Sequence, residues 1–515
     1  MNLAITSLPN DIVQLKALLL KERELTTRLQ QEKQQLLEQF RLAQQKQFGK
    51  SSEGFSGQGE LFNEAEEIAE FIEEDKLHIS YTRKKATRKP LPKDLPRERI
   101  VHDINETDKQ CDCCGGELHK MGEDVSEKLA FVPAQVKVIE HARPKYACRE
   151  CEKSGTENNI KQAPMPATPI RKGMATSSLL SQLITSKYQY GLPLHRQESM
   201  FKQYGIELSR QTMSDWIMKS AALFEPLINR FKQELLKQAV IHADETTVNV
   251  VSADKVKSYM WVYCTGTDSP PLINKETNST TIRNIVLYDY HNSRAASCVV
   301  DYLDGYSGYL QVDGYQAYEQ TQATLTGCWA HARRKFVEAK QVQGKKKTGK
   351  ADVVLSLIQK LYGIESKIKD KRADEKYTIR QAQAQPIVNK LYQWLVQNQP
   401  KLVSKTKLAD AATYLSNQWH KLTVYLEDGR LNIDNNRAER AIKPFVIGRK
   451  NWLFSQTKNG ANASAVHYSI IETAKANGLT PFDYVMTCLN ELCKPKPDIE
   501  RLLPWNKGVA NKVIR

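Results

Sequence analysis

Long apolar runs are missing from this 515-residue chain, and no segment approaches the ~18 uncharged apolar residues that a membrane-spanning helix requires. The opening MNLAITSLPNDIVQLK lacks a basic stretch followed by an apolar core, which argues against a secretory signal and predicts a cytoplasmic protein without a membrane partner. Collagen-like or broadly disordered bias is also absent, with hydrophobic residues at 40%. Carboxylates are in short supply: 59 Asp and Glu face 75 Lys and Arg, a net charge of +16. Such an excess points to an acidic polymer as partner, most simply nucleic acid. Cysteines number only ten, and without export they are expected as thiols or metal ligands rather than disulfides. A chain of this length exceeds one hydrophobic core, so three or more domains are expected.

Glycine and proline are nearly absent from residues 11–47, and Leu15, Leu18, Leu25, Leu29, Leu36, Phe40 and Ala43 recur at steps of three, four or seven. That spacing predicts a helix with an apolar seam over residues 1–48, interrupted by Glu22, Glu32 and Lys33. Two readings stay open, a dimerising coiled coil and a single amphipathic helix packed on its own protein. Residues 49–100 form a charged linker. It comprises a GKSSEGFSGQG hinge, eight acidic residues from Glu60 to Asp75, and eight Lys or Arg from Arg83 to Arg99 among prolines. Within residues 101–165, Cys111-Asp-Cys-Cys114 and Cys148-Arg-Glu-Cys151 each hold a C-x-x-C, which lets two thiolates grip one ion from a tight turn. Cys111, Cys114, Cys148 and Cys151 together predict one structural Zn2+, with Cys113 spare and strands at Ala130–Val138 and Lys145–Cys148 between the knuckles. A disulfide or redox pair is the competing reading.

Residues 170–235 read as a helix-turn-helix DNA-binding domain. Leu194–Tyr204 is one helix, Gly205 opens a turn, and Ser209 caps a second helix over Arg210–Ser220. Arg210, Gln211 and Ser214 would lead the DNA-facing surface, although an ordinary helical hairpin has the same pattern. Residues 236–335 then give an apolar run at Ala239–His242 and a β-branched run at Thr246–Val251, with the strand pattern broken between them at Asp244-Glu245, either a metal site or a solvated turn. Further β-patterns follow at Ser258–Gly266, Thr280–His291, Tyr309–Val312 and Thr324–Ala330, with a helix or turn at Asp301–Ser307. Three strands, a helix, then strand–helix–strand is the order of an RNase H-like α/β sheet, in which the first and fourth strands are neighbours. Asp244 and Asp313, sixty-nine residues apart and each closing its strand, would then lie side by side. Local pattern leaves Asp244 and Glu245 equally eligible as the inward carboxylate. A basic helical insertion fills residues 336–428, and residues 429–460 return to the core. There Asp434 is expected to cap a helix that carries Asn435, Asn436 and Glu439 and stops at Pro444. Residues 461–515 form a C-terminal helical region. In-line attack on a phosphodiester needs carboxylates to hold two Mg2+ (or Mn2+) ions, and three acids suffice.

The ordered blocks FGKSSE, the two knuckles, SKYQYGLPLHRQE with GIELSRQTMSDW, IHADET, GYLQVDGYQAY, CWAHARRKF, DGRLNIDNNRAERAIKPFVIGRKNWLF and YSIIETAKANGL with LLPWN span nearly the whole chain. In them the chain resembles the IS66-family transposases; CDCC, with its extra Cys113, departs from the usual first knuckle. The resemblance implies a DDE-type DNA transposase of a bacterial insertion sequence, nucleoid-associated, with a multidomain α/β fold containing an RNase H-like catalytic domain. It assigns the triad to Asp244, Asp313 and Glu439, and makes Glu245 a neighbour or solvent residue. It likens Cys328-Trp-Ala-His331 to the C-x-x-H element of several DDE superfamilies, where His331 would contact scissile DNA or orient a carboxylate. A histidine satisfied in the sheet edge is the competing reading. Asn435 and Asn436 are candidate supports, and Arg333, Arg334, Arg449 and Lys450 candidate DNA contacts. The implied activity is metal-dependent cleavage at element ends followed by 3′-hydroxyl attack on target DNA, in a homodimer or higher synaptic complex, with accessory element-encoded proteins. The rivals are a non-catalytic DNA-binding regulator on the same scaffold, an RNase H-like nuclease without strand transfer, and a tyrosine recombinase.

Overall fold

A computed structural model describes residues 11–48, 99, 136–146, 161–253, 257–267, 283–342 and 349–506. It divides into two compact units, one of residues 77–166 with residue 515, the other of the remaining chain. In the smaller unit β1 (Lys145–Tyr146) pairs antiparallel with β2 (Lys161–Gln162). The strand expected at Ala130–Val138 does not extend over 136–138, which are irregular. Cys111, Cys114, Cys148 and Cys151 lie outside the described residues, as does the linker run Glu60–Asp75.

The larger unit begins with α1 (Ile12–Phe48). Its expected seam is exposed in the single chain: Leu18, Leu25, Leu29, Leu36 and Phe40 face solvent. A different face touches the protein through Gln35, which donates to the Ser404 carbonyl at 3.0 Å, and Glu38, which accepts the Lys407 N–H at 3.2 Å. Then follow α2 (Ser177–Tyr188), α3 (Leu194–Gln203) and α4 (Arg210–Leu236). The Ser209 side chain accepts from the Thr212 N–H, as its capping role predicts. The second helix runs sixteen residues past its expected end at Ser220 and passes through Pro226. It continues because Phe224, Leu227, Phe231 and Leu235 bury an apolar stripe against the sheet unit.

Among the described residues the main sheet has five strands, ordered β5-β4-β3-β6-β7. These are β3 (Val240–Asn249), β4 (Lys257–Cys264), β5 (Val286–His291), β6 (Tyr309–Gln311) and β7 (Thr324–Thr326), with α5 (Ala296–Tyr302) between β5 and β6. The first three run antiparallel to their neighbours; β6 joins β3 in parallel, and β7 joins β6 in parallel. The first and fourth strands are thus adjacent. The connection between β6 and β7 is a 3-10 turn (Gln316–Gln320) rather than the expected α-helix.

A helical insertion follows: α6 (Trp329–Gln341), α7 (Lys350–Ile368), α8 (Ala373–Ile379), a π-helical turn (Arg380–Ala384), α9 (Gln385–Asn398), α10 (Lys407–Asn417) and α11 (Trp419–Thr423). It has its own core around Trp329, Phe336, Leu361, Leu391, Leu415 and Tyr425. The chain then returns through α12 (Asn436–Trp452), α13 (Lys458–Ala476) and α14 (Pro481–Leu492) to the sheet core. Helix α13 covers the edge strand β5. The Thr473 and Ser469 hydroxyls, one turn apart, accept the Val286 and Tyr288 N–H groups at 3.0 and 2.8 Å, so that edge has partners for its outward amides. Among the described residues no helix is long and apolar enough to cross a membrane.

Two expectations about α12 need correction. Asn435, not Asp434, occupies the cap position, and Pro444 lies inside the helix instead of ending it. Proline forfeits one intrahelical hydrogen bond, at about 3 kcal/mol in a helix interior. Burial of Ile442 and Phe445 beside it returns about 1.5–3 kcal/mol each. The buried face Ala438, Ala441, Ile442, Phe445 and Gly448 carries the helix through.

Candidate active site

Asp244 does not close its strand. It sits in the middle of β3, paired with Val262 of β4, and the strand pattern continues unbroken through Glu245 to Asn249. The β-branched residues Thr246, Thr247 and Val248 carry the pleat onward. Across the parallel pair, His242 is in register with Gln311, the last residue of β6. Extending that register by two residues on each chain sets Asp244 opposite Asp313, with neighbouring strands about 4.8 Å apart. Beyond β6, Asp313 turns the chain by accepting the Tyr315 N–H at 2.9 Å.

The third acid arrives on α12, and the segment before that helix is stitched to the sheet. Gln311 donates to the Asn432 carbonyl at 2.6 Å, and the Trp329 N–H donates to the Ile433 carbonyl at 3.1 Å. Asn435, almost fully buried, donates its side-chain N–H to the Ala243 carbonyl at 2.9 Å. That bond orients the amide, so its oxygen faces His242 and accepts from Nδ1 at 3.1 Å. The Asn435 backbone N–H meets the Cys328 sulfur at 3.2 Å. Asn435 therefore fastens α12 to β3 at the residue before Asp244, and Glu439 follows one turn later. Asn436 is bonded to Asp434, its side chain donating at 3.0 Å.

Electrostatics mark these acids as one cluster. Burial, then the negative charges of Glu245, Asp313 and Glu439, pushes the Asp244 carboxyl well above its ordinary range; the Glu245 N–H donated to it at 2.8 Å opposes the shift. Glu245 is raised mainly by burial and then by Asp313. Its side chain is shielded rather than solvated, because Arg294 pairs with it and Tyr318 donates to it at 2.6 Å. Arg294 in turn lies 3.6 Å from the centre of the Tyr315 ring. Arg294, Tyr315 and Tyr318 form a clamp around the buried Glu245 carboxylate. Sequence reading placed Glu245 there only as one option and missed the other three, which no local pattern distinguishes.

Helix α6 brings the remaining candidates. Cys328 stands at its N-cap and His331 on its first turn, with His331 Nδ1 3.7 Å from Glu439. The Cys328 sulfur, a His331 ring nitrogen and a Glu439 oxygen lie within 4.8 Å of one another. Burial, then Glu439 and Asp434, pushes the Cys328 thiol well up, so it keeps its proton and acts as acceptor for Asn435. Burial and the nearby Arg334 lower His331 to about 4, leaving a neutral imidazole. Arg333 and Arg334 are half-buried on the same helix.

The outlying DNA candidates are dispersed. Arg210 and Gln211 are exposed at the start of α4, with Ser214 half-buried one turn on. Arg449 is occupied by β3, donating to Thr246 and Thr247 side chains at 3.1 and 3.2 Å and to the Thr247 carbonyl, while Lys450 beside it is exposed.

Comparison with known proteins agrees along the chain. A family model for "Transposase IS66 family" matches residues 172–463, and one for "zinc-finger binding domain of transposase IS66" matches residues 108–152, which include all four knuckle cysteines and imply a structural zinc. "Transposase C of IS166 homeodomain" matches residues 35–100, and "IS66 C-terminal element" residues 469–505. The uncharacterized protein y4hP of Sinorhizobium fredii is 32% identical over 446 residues, 83% of this chain and 78% of its own. The uncharacterized protein y4jD of the same organism is 33% identical over 430 residues, 81% of each chain. No solved structure matches.

Proposed function

Because the chain belongs to the IS66 transposase family, we propose that it cuts and joins DNA at the ends of an insertion sequence, with Asp244, Asp313 and Glu439 as its acidic triad. The observation that carries this reading is the convergence of three carboxylates: the parallel register of β3 and β6 brings Asp313 beside Asp244, and, after burial, the charges of Glu245, Asp313 and Glu439 raise the Asp244 carboxyl. A buried set of like charges persists only where something positive joins it in the working state. The strand order, with the first and fourth strands adjacent and parallel, supports an RNase H-like catalytic domain. Hard carboxylate oxygens, beside a Cys328 thiol that keeps its proton, suit Mg2+ or Mn2+, which Asp244, Asp313 and Glu439 would hold. Such ions, when bound, lower the pKa of the attacking hydroxyl or water and neutralise the leaving oxygen.

The chain's own residues do the rest. Asn435 holds the start of α12 against β3, and the Gln311–Asn432 bond ties the segment before it to β6, so that Glu439 is presented from a fixed helix. Arg294 and Tyr318 hold Glu245 away from the cation position and leave Asp244 as the inward acid. Neutral His331, beside Glu439, is able to accept a hydrogen bond from the attacking hydroxyl or to orient Glu439. Arg333, Arg334 and Lys450 offer charge to phosphates, and Arg210 and Gln211 lead the helix proposed to read base edges.

Labelled DNA from the element's own terminus, incubated with Mg2+ and then offered a target duplex, separates the readings. Wild type should nick and then join, whereas Asp313→Asn should bind equally and lose both steps by about 10²–10³-fold, the range expected for removing transition-state stabilisation. Equal, metal-independent behaviour of both proteins removes the catalytic reading. Cleavage without joining would leave a nuclease.

A further inference from the structure

Helix α12 ends in an unusual way. The Trp452 carbonyl accepts the Phe454 N–H at 2.7 Å, closing a three-residue turn centred on Leu453, whose φ is +64° and ψ −40°. This γ-turn with positive φ is rare and strained, and a leucine bears more of that strain than the glycine usually found at such dihedrals. Both sides of the turn are fixed. Before it, the Leu453 N–H bonds the Arg449 carbonyl, and the Trp452 ring packs edge-on to Tyr188 at 6.3 Å. After it, the Ser455 N–H donates to the Asn249 carbonyl at 2.8 Å and the Val251 N–H to the Ser455 carbonyl at 3.0 Å, tying the chain to the end of β3.

The result is a rigid projection that pushes two large apolar side chains outward: Leu453 is 70% exposed and Phe454 48%. The helix end and the segment that carry it hold charge of one sign along the sequence. From Arg440 to Gly460 the charged residues are Arg440, Lys443, Arg449, Lys450 and Lys458, with no carboxylate among them. An exposed apolar tip on a segment whose charged residues are all basic suits a polyanion with an apolar interior, which is DNA, better than a protein surface.

Resting on the transposase reading above, we propose that Leu453 and Phe454 form a wedge that enters the base stack of the bound element end and unstacks it near the cleavage point. The wedge is anchored at Asn249, five residues along β3 from Asp244. At about 3.3 Å per residue that is about 17 Å, the length of about five base pairs at 3.4 Å each. Unstacking there bends the duplex into the basic site at the energetic expense of the stack, as apolar wedges of DNA-bending proteins do.

The test uses the full chain and terminal duplexes carrying 2-aminopurine at successive positions around the cleavage point. Wild-type binding should raise fluorescence several-fold at one or two adjacent positions about five base pairs from that point. Phe454→Ala and Leu453→Gly should abolish the rise and slow cleavage about tenfold or more, while the gel-shift Kd changes less than about threefold because phosphates dominate affinity. Glycine accepts the positive φ without strain, so Leu453→Gly should melt no lower than wild type, which excludes misfolding as the cause of its loss. A rise that persists in the Leu453→Gly/Phe454→Ala double variant, or no rise in a wild-type protein that binds and cleaves, overturns the wedge. A wild-type protein that neither shifts nor cleaves the duplex removes the transposase reading itself, and the wedge with it.

Discussion

Replacing Asp244 by asparagine should make the metal-free protein more stable while abolishing its response to Mg2+. Asp244 is half-buried in the company of Glu245, Asp313 and Glu439, and among these Arg294 compensates Glu245. A like-charge pair about 5 Å apart costs about 3 kcal/mol at an effective dielectric constant of 20. Proton uptake limits what the folded protein bears, and functional-site replacements of this kind commonly return about 1–2 kcal/mol. Asparagine keeps the acceptor for the Glu245 N–H and removes the charge. For a cooperative unit of ~350 residues, at about 2.1 cal/mol/K per residue, 2 kcal/mol is a rise in Tm of about 3 °C. The sign with pH follows from the raised carboxyl. The folded state holds more protons than the unfolded one, so the acid's contribution is present below its ordinary value of 3.8 and is lost as pH rises through the elevated folded value. The advantage of Asp244→Asn over wild type should therefore grow with pH and level off once Asp244 is ionised. Mg2+ at a hundred times its Kd should add about 2.7 kcal/mol to wild type, about 4 °C, and little to the variant. Differential scanning fluorimetry in chelator and in Mg2+, from pH 5 to pH 8, reads all three effects. A variant that melts lower than wild type in chelator, or that keeps the full Mg2+ shift, would refute the crowded-acid account of this site.

Two further outcomes test the frame around the site. His467 is fully buried, stacked on Tyr188 at 5.2 Å, with Nε2 donating to the Ile217 carbonyl at 3.0 Å, and burial lowers it to about 4. Its folded pKa is depressed, so the stability it supports is complete above pH 6.5 and falls by about 3 kcal/mol as pH drops towards 4; urea melts of His467→Gln should be flatter over that window, and a slope equal to wild type would contradict the assignment. Arg380, 1% exposed, pairs with Glu365 and donates to the carbonyls of Tyr425, Asp428 and Leu431 at 2.8–3.0 Å, holding the segment that leads into α12. Arg380→Ala should destabilise the insertion by about 3–5 kcal/mol and lower cleavage with it, because Glu365 is left uncompensated; unchanged denaturant midpoints would show that the network is dispensable.

Much of the larger unit was legible in the residues because its patterns are local. Ser209 declares its helix by capping chemistry, and the β-branched runs of β3 to β5 declare strands. The adjacency of β3 and β6 follows from element order, since a parallel partner must return through a crossover. What escaped depends on partners far along the chain. Asp244 was taken for a strand end because two adjacent carboxylates look like a turn, yet Arg294 and Tyr318 make a buried Glu245 tolerable and the strand runs on. Asn435 reads as a helix-face amide, and only the Ala243 carbonyl and His242, almost two hundred residues earlier, make it a fastener.

Pro444 is the most consequential of these misreadings. A helix ending there would present Glu439 and nothing more. Continuing for eight residues, α12 becomes a rod with Glu439 near one end and the Leu453 turn at the other, fourteen residues apart, or about 21 Å at 1.5 Å per residue. Along β3 the separate path from Asp244 to Asn249 measures about 17 Å. Helix and strand are joined at both ends, by Asn435 at Ala243 and by Ser455 at Asn249, with Arg449 between them on Thr246 and Thr247. Asp244, Glu439 and the apolar tip are therefore held on one ladder-like frame. The buried face of Ala441, Ile442, Phe445 and Gly448 that overrides the proline is what keeps that distance fixed.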